Sequence, residues 1–456
     1  MAEQRAAGAG PRKATTFQLV FMTYAVICSG AYGLEEMVSE SGPGLALTTL
    51  IILPFLWALP LSLACSELSS RFPIEGGYYR WARLAFGDFV GYQAGWLVWL
   101  SNFTTNATFA VLFANYLRYW WPGLTPGGHW AVAAALVWVA TFMNYRGIRL
   151  VGTASVVMTI LIFLPFVGLT LAGFLNWNQN PFVPFVNPDR PPLEAFGTGM
   201  MIAIWLYSGY EKLTTNAAEV ENPSRAFPLA LAITVPLVSA TYVLPTLAGI
   251  AGHGHWRDWG ESYYSVVSEA LGGPGLGWAM AVGGLISNFC ILMVTILGQS
   301  RLPMVLAEDG LFPRVFQKTH SRFGTPVASL LVGAVVMTFM VRLPFQDLAG
   351  LFSLVQVLAY LLIYASLVRL RRTAPLAAVV PAPGAAGPAA RPAFVVPLRR
   401  GGLYFMMVPS VLFAGVVIAQ TVWHDGGFDA RNTLLSLLLL SSGPLTYALF
   451  RRLRRG

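Results

Sequence analysis

The chain has 456 residues, 56% of them hydrophobic and only 11% charged, with a formal net charge of +9 and a mean hydropathy of +0.61. A soluble protein of this length would be about a quarter charged, so a soluble globular enzyme or binding module is excluded. The basic excess does not mark a nucleic-acid binder either, because no folded polar segment gathers it onto one face.

In chain order, residues 1–16, MAEQRAAGAGPRKATT, are polar and basic, with no apolar run ahead of a small-residue cleavage site. They read as a cytoplasmic tail rather than a signal peptide. From Phe17 onward, apolar stretches of the roughly 20 residues needed to span a bilayer recur. Twelve are expected, near 17–38, 44–68, 88–119, 130–145, 150–175, 195–217, 227–250, 276–300, 326–342, 347–369, 403–423 and 432–450. The expected class is therefore an all-α polytopic membrane protein.

The first stretch is interrupted near its middle by Ser29-Gly30-Ala31-Tyr32-Gly33, followed by Glu35 and Glu36. The sixth is interrupted in the matching place by Ser208-Gly209, flanked by Trp205 and Tyr210 and followed by Glu211 and Lys212. Glycine costs about 1 kcal/mol against alanine inside a helix, so both runs favour local unwinding. Either break alone would fit close helix packing. Two breaks in corresponding positions of two halves point to a transporter's midplane site. Charges at membrane depth are expensive and mark function by default. Adjacent helix positions face different ways, so at most one of each charged pair is expected to reach a cavity.

The third stretch carries a dense polar run, Ser101, Asn102, Thr104, Thr105, Asn106 and Thr108, in which Asn102 with Asn106 and Thr104 with Thr108 share faces. Ser287-Asn288 in the eighth is a smaller case. Such residues often only join helices. Residues 371–402, rich in proline and alanine and flanked by arginines, read as a flexible cytoplasmic loop. That loop separates a ten-helix core, 17–370, from a terminal pair, 403–450, and a basic tail, 451–456.

The basic residues divide unequally between the two sides. With the N-terminus inside, only Arg118, Arg190, Arg257, Arg342 and Arg431 fall outside, which follows the positive-inside rule and makes both termini cytoplasmic. Cys28, Cys65 and Cys290 all lie in expected spans, so no disulfide framework is implied. The histidines, His129, His253, His255, His320 and His424, lie outside the spans, and no metalloprotease, nucleophile-elbow or P-loop pattern is present. No cofactor, metal or enzymatic activity is expected.

These residues together resemble the amino acid–polyamine–organocation superfamily, in the branch of L-type amino acid and polyamine-uptake transporters. The likeness runs from Thr16 to about Arg371. It is carried by SGAYGLEEMVSESGP at the first break, by ELSSRFPIEGGYYRWARLAFG (67–87), by WLYSGYEKLTTNAAEVENPSRAFPLAL (205–231) and by AEDGLFPRVFQKTHSRFGTPVASLL (307–331). The resemblance implies a LeuT-like fold, with helices 1–5 and 6–10 as inverted repeats and helices 1 and 6 broken. It further implies that backbone N–H groups of Ser29, Gly30, Ala31 and Gly33 receive a substrate carboxylate. Carbonyls from Trp205 to Ser208 would receive an ammonium, Trp205 would act as an aromatic gate, and Glu211 would sense protons.

The chain also departs from its kin. The polyamine branch aligns acids with Thr105, Met293 and Thr295, and some proton-coupled relatives have a lysine in helix 5 that TASVVMTILIFLPFVGL lacks. An ammonium needs anions or aromatic faces to replace its hydration, so amino acids are expected ahead of polyamines. The candidate substrate residues are Ser29, Gly30, Ala31, Gly33 and Thr105 from the first half. Trp205, Ser208, Gly209, Tyr210 and Asn288 complete them from the second. Glu211 and Glu35 are the candidates for proton coupling. The expected activity is secondary active transport of an amino acid across the cytoplasmic membrane, with H+ as coupling ion. A polyamine–proton symporter and a non-transporting nutrient sensor are the alternatives.

Overall fold

The computed structural model describes residues 15–28, 30–72, 74, 76–146, 155–210, 220, 223–373, 394–424 and 427–455. The first expected segment is two short helices rather than one. Helix α1 (Thr16–Ile27) opens on a capping box in which Thr15 and Gln18 satisfy each other's backbone N–H groups. The chain leaves helical geometry at Cys28, and α2 (Glu35–Ser41) follows. Gly30 and Gly33 have φ of +99° and +91°, a region closed to side-chain-bearing residues except at a cost.

The second segment is α3 (Pro43–Leu53) and α4 (Leu59–Arg71), joined by a π-helical turn over Pro54–Ala58. Pro54 lacks an N–H and Pro60 lies in the first turn of α4, so an ordinary ladder cannot run through unchanged. A short helix, α5 (Gly77–Phe86), precedes the longer α6 (Asp88–Leu117). Then come α7 (Pro126–Arg146), α8 (Ser155–Leu175) and α9 (Pro192–Leu206). Helices α10 (Pro223–His253), α11 (Tyr264–Gly272) and α12 (Pro274–Glu308) follow. The chain closes with α13 (Val327–Met340), α14 (Phe345–Thr373), α15 (Arg400–Val422) and α16 (Ala430–Arg455). Between α15 and α16, Trp423–His424 and Gly427–Phe428 form a two-residue antiparallel ladder.

Among the described residues, eight helical stretches are long and apolar enough to cross a membrane. Three further apolar helices are shorter, with α9 ending at Leu206 where the second break begins. The fold is therefore that of a polytopic helical membrane protein. Helix α6 is at its centre, packed on α12 and α14, while α10 packs on α8 and α1. The outer helices turn apolar stripes outward: Leu161, Leu164, Val167 and Leu171 of α8 are exposed at helical spacing. A stripe of that kind would be a liability in water and matches a hydrocarbon solvent.

One buried ionic cluster ties distant parts of the chain. Glu67 and Arg71, one turn apart on α4, are fully buried and 3.2 Å from each other. Arg371 near the end of α14 donates from Nε to Glu67 at 2.7 Å and reaches the second carboxylate oxygen with Nη2. The N–H of Val396 adds a bond to Glu67 at 2.9 Å, and Arg371 returns one to the Val396 carbonyl at 3.0 Å. Ser70 donates to the Phe394 carbonyl at 3.0 Å. Phe394 and Val396, within the 371–402 loop, are thus pinned against α4, and the Val396 N–H helps to solvate the buried carboxylate.

Glu67→Ala is expected to destabilise the protein by about 3–5 kcal/mol, since it removes the one buried carboxylate that accepts from Arg71, Arg371 and the Val396 N–H together. Arg371→Ala is expected to cost less, because the Arg371 side chain is 10% exposed where that of Glu67 is 0%. Thermal unfolding of the two variants in the same detergent checks the order, and equal midpoints would refute it.

Candidate functional site

The two breaks face each other across a small cavity. It is lined from the first break by Ile27, Gly30 and Tyr32 and from the second by Trp205, Leu206 and Ser208. Thr105 and Phe109 of α6, Tyr242 of α10, Ser287, Asn288 and Ile291 of α12 and Phe352 of α14 complete the walls. The free volume is about 40 Å³, room for a few waters at ~10–15 Å³ each by this measure.

Several polar wall groups are already engaged within the protein. The indole N–H of Trp205 donates to Thr105 Oγ1 at 2.9 Å, which fixes the ring against Phe109, 5.6 Å away between centroids. Ser208 Oγ turns back to the Ile204 carbonyl at 2.6 Å, and Asn288 Nδ2 to the Gly284 carbonyl at 2.8 Å. Tyr32 donates to the Met280 carbonyl at 3.2 Å and packs edge-on to Tyr116.

The residue that joins the two breaks escaped the sequence reading. Tyr242, deep in α10 and 2% exposed, places its hydroxyl 3.3 Å from the Ile27 carbonyl and 3.3 Å from the Leu206 carbonyl. Those are the last residues of α1 and α9, whose carbonyls lack helical partners. One hydroxyl proton can serve only one of them at a time. No local pattern marks this tyrosine, since its partners are more than 30 residues away in sequence.

Of the expected site residues, Gly30, Thr105, Trp205, Ser208 and Asn288 meet at the cavity. Ala31, Gly33, Gly209 and Tyr210 are not among its walls. Gly33 is a correction in detail: its N–H was expected to be free for a substrate and instead donates to Glu35 Oε2 at 2.7 Å. Tyr210 is buried beside Tyr207 and Cys28. Ser29, Glu211 and Lys212 lie outside the described residues.

Glu35 is 1% exposed and also accepts a bond from the Tyr116 hydroxyl. Through Tyr116 it stands directly behind Tyr32. Glu36 points elsewhere, to Gln346 and Glu261. Burial pushes the Glu261 carboxyl above the ordinary carboxylate range, opposed by Arg118 at 3.6 Å.

Most of the polar run of α6 serves packing. Asn106 donates to Gln299 at 2.6 Å and accepts from Thr295, while Thr104 and Thr108 bond carbonyls of their own helix. Met293 presents its carbonyl to Asn144 at 3.0 Å. Neither Met293 nor Thr295 is among the cavity walls.

An amino acid permease family model matches residues 15–439. The chain belongs to the amino acid permease family. A probable polyamine transporter of Arabidopsis thaliana is 30% identical to this permease over 451 residues, covering 97% of this chain and 85% of the relative. The polyamine transporter RMV1 of the same organism is 30% identical over 419 residues, 90% of this chain and 81% of its own length. A polyamine transporter of Oryza sativa subsp. japonica is 30% identical over 417 residues, 90% and 74% of the two chains. The permease is a transporter rather than an enzyme.

Tyr242→Phe is expected to leave the Ile27 and Leu206 carbonyls without their shared donor, at about 1–3 kcal/mol for a buried unsatisfied group. A lowered unfolding midpoint at unchanged helical content in the far-UV is the expected measurement. An unchanged midpoint would show that other donors hold the breaks.

Proposed function

We propose that this permease carries small organic amines, polyamines first, by alternating access through the cavity between the two breaks. The reading rests on the aromatic rings of Tyr32, Phe109, Trp205, Tyr242 and Phe352 around a cavity with no cationic wall among the described residues. Aromatic faces replace part of an ammonium's hydration, worth ~2 kcal/mol or more once the group is desolvated. Two relatives named as polyamine transporters and one named as a probable polyamine transporter support the same substrate class.

The expected preference for amino acids rested on missing acids at Thr105, Met293 and Thr295, and of these only Thr105 is a wall residue. The losses at Met293 and Thr295 therefore bear little on this cavity, so the ranking is reversed. A neutral amino acid remains the second reading, favoured by the absence of a carboxylate from the described walls.

About 40 Å³ is too small for either substrate, so binding requires the half-helices to separate. The proposed frame has twelve spans, a LeuT-like pair of five-helix inverted repeats within 17–370, and helices 403–450 appended through the 371–402 loop. Both termini lie in the cytoplasm and the membrane is the cytoplasmic one. Support comes from two breaks in the first and sixth segments and from the one-sided distribution of arginines. Glu211 and Glu35 are the proposed proton-coupling groups. Glu35 is already held by two donors next to the cavity aromatics, so a change of solvation there alters its charge state.

Uptake of labelled putrescine into proteoliposomes with an imposed inward proton gradient tests the substrate and the coupling together. Excess spermidine is expected to suppress the flux at least tenfold, and neutral amino acids to leave it within twofold; the opposite pattern selects the second reading. No flux of either class would favour a nutrient sensor. Gly30→Leu is expected to abolish the flux at normal levels of folded protein, because even a Cβ there would lie 2.6 Å from the Phe166 ring and 2.8 Å from the Tyr32 ring.

In the same vesicles, Glu211→Gln and Glu35→Gln are expected to retain substrate exchange and lose stimulation by the gradient. If both variants respond to the gradient like the unaltered protein, neither carboxyl carries the coupling proton.

A further inference from the structure

Where α14 ends and α15 begins, the two helices enclose a groove of about 560 Å³. Its walls change character along its length. Leu361, Ala365 and Val368 of α14 face Met407 and Val411 of α15, and the end nearer the chain termini of these helices carries Arg369, Arg372 and Tyr404. From Leu361 to Arg372 the helix rises about 16 Å, close to the ~15 Å hydrocarbon depth of one leaflet.

The arginines are sorted by helical spacing. Arg371 turns inward to Glu67, while Arg369 and Arg372, three apart, share the groove face. Arg372 Nη2 donates to the Tyr404 hydroxyl at 2.7 Å, and Arg369 lies over the Phe86 ring at 5.2 Å. Among the described residues neither of these two makes an ion pair with a carboxylate. Having accepted from Arg372, Tyr404 keeps its own proton for another acceptor.

We propose that this groove binds one anionic phospholipid. Its phosphate lies between Arg369 and Arg372, with Tyr404 donating to a headgroup oxygen, and one acyl chain runs along Leu361, Val368, Met407 and Val411. Charge complementarity selects the anionic headgroup, and the apolar length of the wall selects a lipid over free phosphate. Basic pockets between membrane helices at the interface bind such headgroups, and guanidinium forks match phosphate oxygens in pairs.

Native mass spectrometry of the full chain, equilibrated with equal phosphatidylglycerol and phosphatidylcholine of matched acyl chains, tests the proposal. Each arginine is expected to contribute about a fivefold preference for the anionic lipid, so roughly 25-fold for the pair. The double variant R369A/R372A is expected to fall to near parity, and R369K/R372K to keep a preference of several-fold. A365W, which fills the apolar wall and leaves both arginines, is expected to lose the retained lipid as well. Parity in R369A/R372A with full retention in A365W would mean surface charge attraction without a groove and would overturn the proposal. So would an unchanged preference in R369A/R372A, or displacement of the lipid by millimolar inorganic phosphate.

Discussion

Backbone groups at membrane depth must find partners inside the protein, and the two broken helices create the most exposed instance of that demand. Tyr242 sets a single hydroxyl within reach of both places. The consequence reaches beyond stability. A donor within reach of two carbonyls, able to serve one at a time, couples the ends of α1 and α9 to α10. If either half-helix moves, the tyrosine can follow it or stay with the other. A similar tether holds the second break from another side, where Tyr207 donates to the Leu50 carbonyl at 2.6 Å. Tyr32 does likewise for the first, reaching α12. Three tyrosines therefore set the geometry within which the aromatic walls of the cavity meet.

Charge is kept off those walls and placed one layer behind. Glu35 is satisfied by Gly33 N–H and by Tyr116, and Tyr116 in turn packs against the wall residue Tyr32. Polar side chains of α6 divide in the same manner. Thr105 faces the cavity and orients Trp205, while Asn106, the next residue, is committed to Thr295 and Gln299 on α12. Successive helix positions diverge by about 100°, so neighbours in sequence serve different partners. A neutral, aromatic wall over a buried carboxyl suits a ligand that brings its own positive charge.

The class of the protein, the position of both breaks and the identity of Gly30, Thr105, Trp205, Ser208 and Asn288 as wall residues were legible in the sequence. Membrane helices are written in composition, and flexible residues stand out against it. What could not be read was partnership across the fold. Gly33 resembles Gly30 in every local respect, yet its N–H belongs to a carboxylate two residues on, which only the turn geometry decides. Tyr242 is one aromatic among many in an apolar helix. Met293 and Thr295 lie on the same helix as Asn288 but turn toward α7 and α6, so a missing acid at either position carried less weight than its place in an alignment suggested. The pinned end of the 371–402 loop was hidden for a related reason: Phe394 and Val396 reveal nothing of the carboxylate that holds them.

The π-helical turn at Pro54–Ala58 has a geometric consequence for everything downstream on that span. Such a turn accommodates one residue more than an α-helix of equal rise would, so it acts as a rotational offset between the two halves of the segment. Deleting a single residue there and restoring a regular helix would turn α4 by about 100°. Glu67 and Arg71 would swing out of their cluster, and the carboxylate would lose the Arg371 and Val396 donors that solvate it. The phase of the ionic lock is thus set a dozen residues before the lock itself, by two prolines that bear no charge at all.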